Sequence, residues 1–197
     1  MRLFVALDIP ENVRRTISEL MQKLEPTCLG ARWVRAEGMH VTLKFIGEAS
    51  EEKVAAVRKE LSAVHSAQAA ELGFRNVGFF PNARHPRVFW VGIETSPNLA
   101  EMAGEIERRL EKLGIPREDR AFKPHLTLAR FKSEEGLPRL HDAIQKLGAV
   151  EFGRMSTEEF YLYQSTLKPG GAEYTKLETF AFTKIVSASS RFRESAK

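Results

Sequence analysis

The sequence predicts an α+β protein built from two similar halves, and three observations support this. The order strand, helix, strand, helix, strand occurs twice along the chain. The segment HVTLKF at residues 40–45 returns as HLTLAR at residues 125–130, and 125 − 40 is 85. The segments 2–4 and 87–89, both Arg-x-Phe, have the same offset, since 87 − 2 is 85. We therefore expect two lobes related by a pseudo-two-fold axis, with the repeated segments facing one cleft.

Proline, glycine and serine residues mark the boundaries between the predicted elements of the first half. Its opening apolar run predicts a buried strand, and the apolar stripe that follows predicts a helix opened by Pro10. Gly38 separates two extended pieces, and Ser50 is a predicted helix N-cap. The predicted elements are a strand at 2–9, a helix at 10–25, extended segments within 31–47, a helix at 50–65 and a strand at 70–82.

The second half starts the same order again with a buried strand. Gly114 is predicted to end its first helix, and KPGG at 168–171 predicts a hairpin. The predicted elements are a strand at 87–94, a helix at 97–114, a strand at 121–131, a helix at 134–148, and strands at 158–167 and 172–182. We predict one bilobal domain over residues 1–186, followed by a polar tail at 187–197.

Composition limits the classes of function. A net charge of +4 and a sequence pI near 9.3 favour an anionic partner, although so small a surplus is also typical of a solvated surface. The single cysteine, Cys28, excludes an internal disulfide and a multi-cysteine zinc site. The N-terminus has the pattern of a first strand rather than of a signal peptide, and no apolar run approaches the ~20 residues that span a bilayer. We expect a cytoplasmic protein without membrane contact.

The repeated segments place histidine and threonine on one side of a strand. Side chains alternate between faces along a strand, so His40 and Thr42 point one way while the apolar residues between and after them point the other. His125 and Thr127 are arranged in the same way. A lone histidine on a strand is more often structural or solvated, but two copies in equivalent positions predict two imidazoles and two hydroxyls in one cleft.

Two imidazoles are suited to general acid–base chemistry at phosphorus. With an unperturbed pKa of about 6.5, one can be neutral while the other is protonated near neutral pH. On opposite sides of a phosphorus atom, one removes a proton from the attacking oxygen and the other protonates the leaving oxygen. Threonine hydroxyls can donate to the non-bridging oxygens. A zinc site is disfavoured because each His-x-Thr offers one good ligand, so we expect neither metal nor cofactor.

The two motifs resemble those of a known family. HVTLKFIG and HLTLAR are similar to the paired His-x-Thr-x motifs of the two-histidine (2H) phosphoesterases. The 85-residue separation, the opening RLFVALDIP and the late YLYQSTLKPGGAEYTKL resemble in particular the RNA 2′,3′-cyclic phosphodiesterases, also called 2′-5′ RNA ligases. The likeness covers residues 2 to 185.

That resemblance implies a fold, a reaction and residue roles. The implied fold is bilobal, with antiparallel sheets lining a central cleft and helices outside. The implied reaction hydrolyses a 2′,3′-cyclic phosphate at an RNA end to a 2′-phosphomonoester, with His40 as proton donor and His125 as proton acceptor. Thr42 and Thr127 would bind the phosphate. Without the resemblance, pseudo-symmetry leaves donor and acceptor interchangeable.

Other residues are candidates for phosphate or RNA contacts, each with a plainer alternative. Arg130 is a candidate phosphate ligand, although strict alternation from His125 places it on the opposite face. Lys44 shares the face of His40 by alternation, and Phe45, the equivalent of Arg130, is a candidate for base stacking. The remaining candidates are Trp33 with Arg32 and Arg35 as an aromatic and basic platform, Tyr163 facing the cleft, and Lys168 in the hairpin. Core packing for the aromatic residues and solvation for the lysines are the alternatives.

Three functions fit this pattern. The first is metal-independent hydrolysis of cyclic phosphate at RNA ends. The second is 2′-5′ ligation, in which a 5′-hydroxyl replaces water and the energy comes from the cyclic bond, because the chain has no nucleotide-binding P-loop. The third is a non-catalytic RNA- or nucleotide-binding module. The expected partner is RNA or an oligonucleotide, and no protein partner is indicated.

Overall fold

The computed structural model describes residues 1–169 and 171–183, and within them the chain forms four α-helices and nine β-strands. The strands are β1 (Arg2–Asp8), β2 (Ala31–Trp33), β3 (His40–Glu48), β4 (Ala70–Phe80), β5 (Val88–Thr95), β6 (His125–Phe131), β7 (Glu151–Thr157), β8 (Glu159–Lys168) and β9 (Gly171–Ala181). The helices are α1 (Glu11–Leu24), α2 (Glu51–Leu61), α3 (Pro97–Glu111) and α4 (Leu137–Leu147). The predicted tail at 187–197 and domain end at 186 lie outside the described residues, as does Gly170 of the hairpin.

Two antiparallel sheets confirm the predicted α+β class. The first sheet has the order β3-β1-β8-β9 and the second the order β2-β6-β5-β4-β7. The local signals also correspond to structure. The Ser50 hydroxyl accepts a hydrogen bond from the backbone N–H of Lys53 at 3.3 Å and caps α2. Gly114, just beyond the end of α3, has a positive φ of 71°.

The two halves of the chain exchange strands between the sheets. Strand β4, from the first half, pairs with β5 in the second sheet, whereas β8 and β9, from the second half, extend the first sheet from β1. Helix α1 packs against β7 and α3 against β3 and β4, so the helices also cross over. The buried apolar side chains of both halves form one large cluster. The sequence repeat is therefore interleaved in space.

The strand register corrects one part of the predicted repeat. Asp8 lies opposite His40 on the β1–β3 pair, and Gly92 lies opposite His125 on the β5–β6 pair. The offset between the histidines is 125 − 40 = 85, but between their partners it is 92 − 8 = 84. The Arg-x-Phe match at offset 85 is thus out of register by one residue. Short apolar strands match by chance, and only the pairing fixes which residues are equivalent.

Strand β7 was not predicted from the sequence. Its residues, EFGRMST, include Gly153 and only two large apolar side chains, so they lack the β-rich alternation of the other strands. Pairing with β4 nevertheless makes it the edge of the second sheet. Tertiary pairing overrides a weak local preference here.

Candidate active site

The same β-bulge interrupts both motif strands. In β3, Thr42 lies opposite Ala6 and Lys44 opposite Val5, which leaves Leu43 as the extra residue. In β6, Thr127 lies opposite Trp90 and Ala129 opposite Phe89, which leaves Leu128 as the extra residue, again 85 positions later (128 − 43). A bulge places two successive side chains on one face and shifts the alternation beyond it. The residues after each bulge therefore point to the face opposite from the one that alternation predicts.

The bulge puts Phe45 and Arg130 beside the motif residues. Phe45 lies opposite Phe4, which shares a face of β1 with the Thr42 partner Ala6. Arg130 lies opposite Val88, which shares a face of β5 with the Thr127 partner Trp90. We call the side of each sheet that carries the histidine and threonine its motif face. The awkward alternation at Arg130 is thereby resolved, since Arg130 lies on the motif face.

The predicted orientation of Lys44 is wrong for the same reason. Its side chain lies on the core side and is only 2% exposed. The Nζ atom donates to the carbonyl of Pro116 at 2.6 Å and lies 2.8 Å from Oε2 of Glu107, close enough for an ion pair although outside hydrogen-bond geometry. Lys44 therefore ties β3 to α3 and to the loop that leads towards His125, and it is not available to RNA.

His40 lies in an aromatic environment that favours its neutral form. Its ring packs 4.6 Å from the ring of Phe4 and meets the edge of Tyr174 at 4.9 Å. Burial lowers the pKa of His40 to about 4, against opposing contributions from a backbone hydrogen bond to Gly38 and from the Asp8 carboxylate. The Arg14 guanidinium adds a smaller effect in the same direction as burial. His40 is thus neutral at pH 7 in the unliganded protein.

Asp8, which lies opposite His40 on the β1–β3 pair, accepts hydrogen bonds from two side chains of the first sheet. It accepts a hydrogen bond from the Tyr163 hydroxyl, and its Oδ2 accepts one from Nζ of Lys176 at 2.6 Å. Tyr163 is 8% exposed and stacks on Phe4 with ring centroids 5.2 Å apart. Burial and the bond to Asp8 raise the pKa of Tyr163 above its usual value. Tyr163 lies opposite Phe4 and shares its face of the sheet, but its ring packs on Phe4 and is too buried for the predicted RNA contact.

His125 is oriented by its own backbone. Its Nδ1 lies 2.8 Å from the carbonyl oxygen of Lys123, and because a carbonyl only accepts, Nδ1 carries the proton and donates it. Nε2 is then left as the nitrogen with a lone pair when the ring is neutral. The edge of the ring meets Phe80 at a centroid distance of 5.1 Å. In both motifs the backbone partner is two residues before the histidine, Lys123 here and Gly38 for His40.

The two threonines remain free to bind a ligand. Both Thr42 and Thr127 are half-buried on their motif faces. Within the described residues, neither hydroxyl has a hydrogen-bond partner. The strands that carry them, β3 and β6, contact each other across the two sheets. The two sequence-predicted His-x-Thr pairs thus lie on strands that contact each other, with the threonine hydroxyls unused within the described residues.

The remaining candidates divide between surface and core. Phe45 is 53% exposed with its ring 6.2 Å from Phe4, as a stacking residue requires. Trp33 lies opposite Ala129 on the core side and meets Phe89 edge-on at 5.8 Å, so the predicted aromatic platform is wrong and the core alternative holds. Lys168 is exposed and pairs with Glu173 at 3.1 Å, which places it in the hairpin without a contact to the motif residues.

Sequence reasoning missed the residues that surround His40. Asp8, Phe4 and Tyr174 come from β1 and β9, and only the strand register brings them to the motif face. Asp8 had one local signal, because it is a charged residue at the end of an otherwise apolar strand. Within the described chain, no group of three or more His, Cys, Asp or Glu side chains is arranged to hold a metal ion, and no helix there is long and apolar enough to cross a membrane.

Comparison with known proteins gives one consistent result. The sequence model of LigT-like phosphoesterases matches residues 7–90 and again residues 91–174, so each match contains one histidine motif. The RNA 2′,3′-cyclic phosphodiesterase of Archaeoglobus fulgidus is 38% identical over 180 residues, covering 91% of this chain and 99% of that protein.

Solved structures agree with the sequence matches. A protein of Thermus thermophilus has a TM-score of 0.78 and 34% identity, covering 92% of this chain and 98% of that one. Escherichia coli LigT complexed with 3′-AMP has a TM-score of 0.76 and 29% identity, covering 93% of this chain and 98% of that one. The fold of this chain is thus shared with both proteins over almost their full length.

Proposed function

Because the chain belongs to the LigT-like phosphoesterase family, we propose that it hydrolyses 2′,3′-cyclic phosphate at RNA ends to leave a 2′-phosphomonoester. The observation that carries the proposal is the duplicated His-x-Thr with its shared bulge, on two strands that contact each other. The curated relative from A. fulgidus, named for this activity, supports the choice of substrate.

The reaction needs two proton transfers and a place for negative charge. One histidine removes a proton from water as its oxygen attacks phosphorus, and the other donates a proton to the 3′ oxygen as the P–O3′ bond breaks. The phosphate remains on the 2′ oxygen. The unused hydroxyls of Thr42 and Thr127 donate to the non-bridging oxygens, where charge is held in the transition state. Both proton transfers are supplied by side chains, so no step requires a metal.

The surroundings of the two histidines support unequal roles. His125 presents Nε2 as an acceptor when neutral, because Nδ1–H donates to Lys123, and this suits the base that activates water. His40 faces the Asp8 carboxylate across the β1–β3 pair, which favours an imidazolium and suits the acid. Since burial holds the pKa of His40 at about 4 in the unliganded protein, the acid must acquire its proton as the anionic phosphate binds. Substrate binding and protonation of His40 are then coupled.

The test is turnover of an oligonucleotide that ends in a 2′,3′-cyclic phosphate, measured in EDTA. His40→Ala and His125→Ala should each lower kcat by on the order of 10²–10⁴-fold, while RNA affinity is largely kept. His65→Ala, at an exposed histidine, is the matched control. Product analysis should show the 2′-phosphomonoester.

Four other results would contradict the proposal. Wild-type turnover in either His40→Ala or His125→Ala would exclude these two histidines as an acid–base pair. Loss of wild-type turnover in EDTA would require a metal. A joined product that outweighs hydrolysis when a 5′-hydroxyl oligonucleotide is present would support ligation. Binding without turnover would identify a non-catalytic module.

A further inference from the structure

Two arginines stand directly opposite each other beside the second motif. Arg32 of β2 and Arg130 of β6 are partners in the antiparallel β2–β6 pair. Their side chains therefore share a face, which for Arg130 is the motif face that also carries Thr127. Both residues are exposed. We call this pair the arginine rung.

The rung is electrostatically unfavourable without a ligand. Like charges directly opposite each other on neighbouring strands are destabilising. In the part of the chain that the structure describes, neither arginine has a carboxylate within ion-pair distance. Arg75 on the same sheet shows the usual arrangement, with Glu94 at 3.0 Å and Glu151 at 3.4 Å. Two guanidinium groups without such partners are suited to an anion, since their N–H donors match the geometry of phosphate oxygens.

The rung also reaches the opposite sheet. The Arg32 guanidinium lies against the backbone of Gly171 in β9, where a Cβ would be 2.9 Å from Nη2. Gly171 has a positive φ of 131°, a conformation that L side chains rarely adopt, and the missing side chain leaves room for the guanidinium. Arg32 therefore connects the second sheet to the β8–β9 hairpin of the first, beside the two motif strands.

The position of the rung indicates which phosphate it binds. Because Leu128 is the extra residue of the bulge, Arg130 lies only two ladder positions beyond Thr127, opposite Val88 rather than Trp90, which is about 7 Å along the strand at ~3.4 Å per residue. A phosphate held by Thr42 and Thr127 is therefore separate from one held at the rung. The terminal nucleotide of an RNA carries its next phosphate at its own 5′ position, whereas a nucleoside 2′,3′-cyclic phosphate has none.

We propose that Arg32 and Arg130 bind the 5′-phosphate of the terminal nucleotide, and that the enzyme thereby prefers RNA ends to free nucleoside 2′,3′-cyclic phosphates. This inference rests on the proposed function. Arg32 is the specificity residue that it adds, while Arg130 lies on the same strand as Thr127. The ligand class is a 5′-phosphorylated nucleotide, either as a monomer or within a chain.

The test uses two substrates that differ by one phosphate. Adenosine 2′,3′-cyclic phosphate and its 5′-phosphorylated form are compared in the wild type, in Arg32→Gln and Arg32→Lys, and in Arg139→Gln, an exposed α4 arginine, as the charge-matched control. In the wild type, kcat/KM should be higher for the 5′-phosphorylated substrate. Arg32→Gln should lower that ratio by roughly 10- to 100-fold, since a charged hydrogen bond contributes about 1.5–3 kcal/mol. Arg32→Lys should restore part of the ratio, and Arg139→Gln should leave it as in the wild type.

Binding provides a readout that does not depend on turnover. Adenosine 2′,5′-bisphosphate should bind the wild type more tightly than adenosine 2′-phosphate, and Arg32→Gln should remove most of that difference in Kd. If Arg32→Gln left unchanged either the ratio of kcat/KM values or the ratio of Kd values, Arg32 would not bind the 5′-phosphate and the proposal would be wrong. No turnover of either cyclic substrate by the wild type, with the Kd difference and its loss in Arg32→Gln intact, would instead refute the proposed function while the rung stands as a phosphate site.

Discussion

The two motif strands share their backbone and differ in what surrounds it. Both β3 and β6 carry histidine, threonine and a bulge at equivalent positions. Around this common part, the first strand has Asp8 opposite its histidine and Phe45 after its bulge, whereas the second has Gly92 and Arg130. The repeated part is suited to a symmetric task, holding one phosphate between two proton carriers. The differing part makes the site asymmetric, with Asp8 and Phe45 at the first motif and Arg32 and Arg130 at the second.

A third difference lies on the core side. Lys44 in the first strand corresponds to Ala129 in the second, since they lie opposite Val5 and Phe89 respectively. Ala129 is an ordinary buried side chain, but Lys44 buries a charge against Glu107. The first strand thus depends on an ion pair where the second depends on apolar packing.

Breaking this ion pair should have the largest effect on stability. Lys44→Met leaves Glu107 buried without its cation, and removing one partner of a buried pair costs about 3–5 kcal/mol of the free energy of unfolding. The double variant Lys44→Met/Glu107→Leu should recover most of that loss, because two apolar side chains replace the pair. Lys168→Met, at an exposed pair, should cost less than about 1 kcal/mol. Chemical denaturation measures all three, and a Lys44→Met loss as small as that of Lys168→Met would show that the pair is not stabilising.

Substitutions of Phe45, the motif-face residue that follows the bulge in β3, should have the second-largest effect, and that effect should be on substrate binding. Phe45→Ala removes a 53% exposed ring from the motif face, and stacking of one base on an aromatic side chain contributes about 1–3 kcal/mol. We expect KM for a cyclic-phosphate oligonucleotide to rise roughly 5- to 100-fold with a smaller change in kcat. Phe45→Trp should keep the wild-type KM, whereas Phe45→Arg, which makes the first strand resemble the second, should not. Equal KM values for Phe45→Ala and the wild type would exclude stacking at this position.

Removing the Asp8 charge should have the smallest effect and test the acid. The carboxylate favours protonated His40, so Asp8→Asn should lower the pKa of His40 further below about 4, while the amide oxygen still accepts from Tyr163. The charged or titratable groups around this site are Asp8 and Arg14, with Tyr163, Tyr174 and Lys176 from β8 and β9. If His40 donates the proton, the alkaline decline of kcat/KM moves to lower pH in Asp8→Asn. Lys176→Met, which removes a cation, should move it the other way.

Nuclear magnetic resonance of the His40 ring measures the same pKa directly. A His40 pKa that Asp8→Asn raises or leaves unchanged would contradict the role of the carboxylate. The lowered pKa of His40 also makes the stability of the protein depend on pH. Because His40 titrates at about 4 when folded and near 6.5 when unfolded, unfolding takes up a proton between these values. The free energy of unfolding should therefore fall as pH drops through that window.

Sequence reasoning reached the motif residues because repetition and alternation are local signals. His40, Thr42, His125 and Thr127 could be placed on one face each from a period of two, and their recurrence implied a shared site. What failed was the alternation beyond Leu43 and Leu128. A bulge is a property of two paired strands, and HVTLKF has no glycine or other residue that marks one.

The same limitation explains why the residues around His40 were not predicted from the sequence. Asp8 and Tyr174 are separated by most of the chain, and only the order β3-β1-β8-β9 brings them to one face. The exchange of strands between halves follows from the way each sheet is completed, which no segment encodes by itself. Trp33 shows the reverse case: its basic neighbours suggested a surface, but pairing with Ala129 turns the ring to the core.

The paired-histidine site is tested most directly by a crystal structure of the protein with adenosine 2′-phosphate, the product of the proposed reaction. We expect a ring nitrogen of His40 and Nε2 of His125 each to lie within about 3.2 Å of oxygens on the same phosphate, which sets the two nitrogens roughly 6–8 Å apart. A phosphate that contacts only one of the two histidines, with the other turned towards solvent or the core, would contradict this expectation.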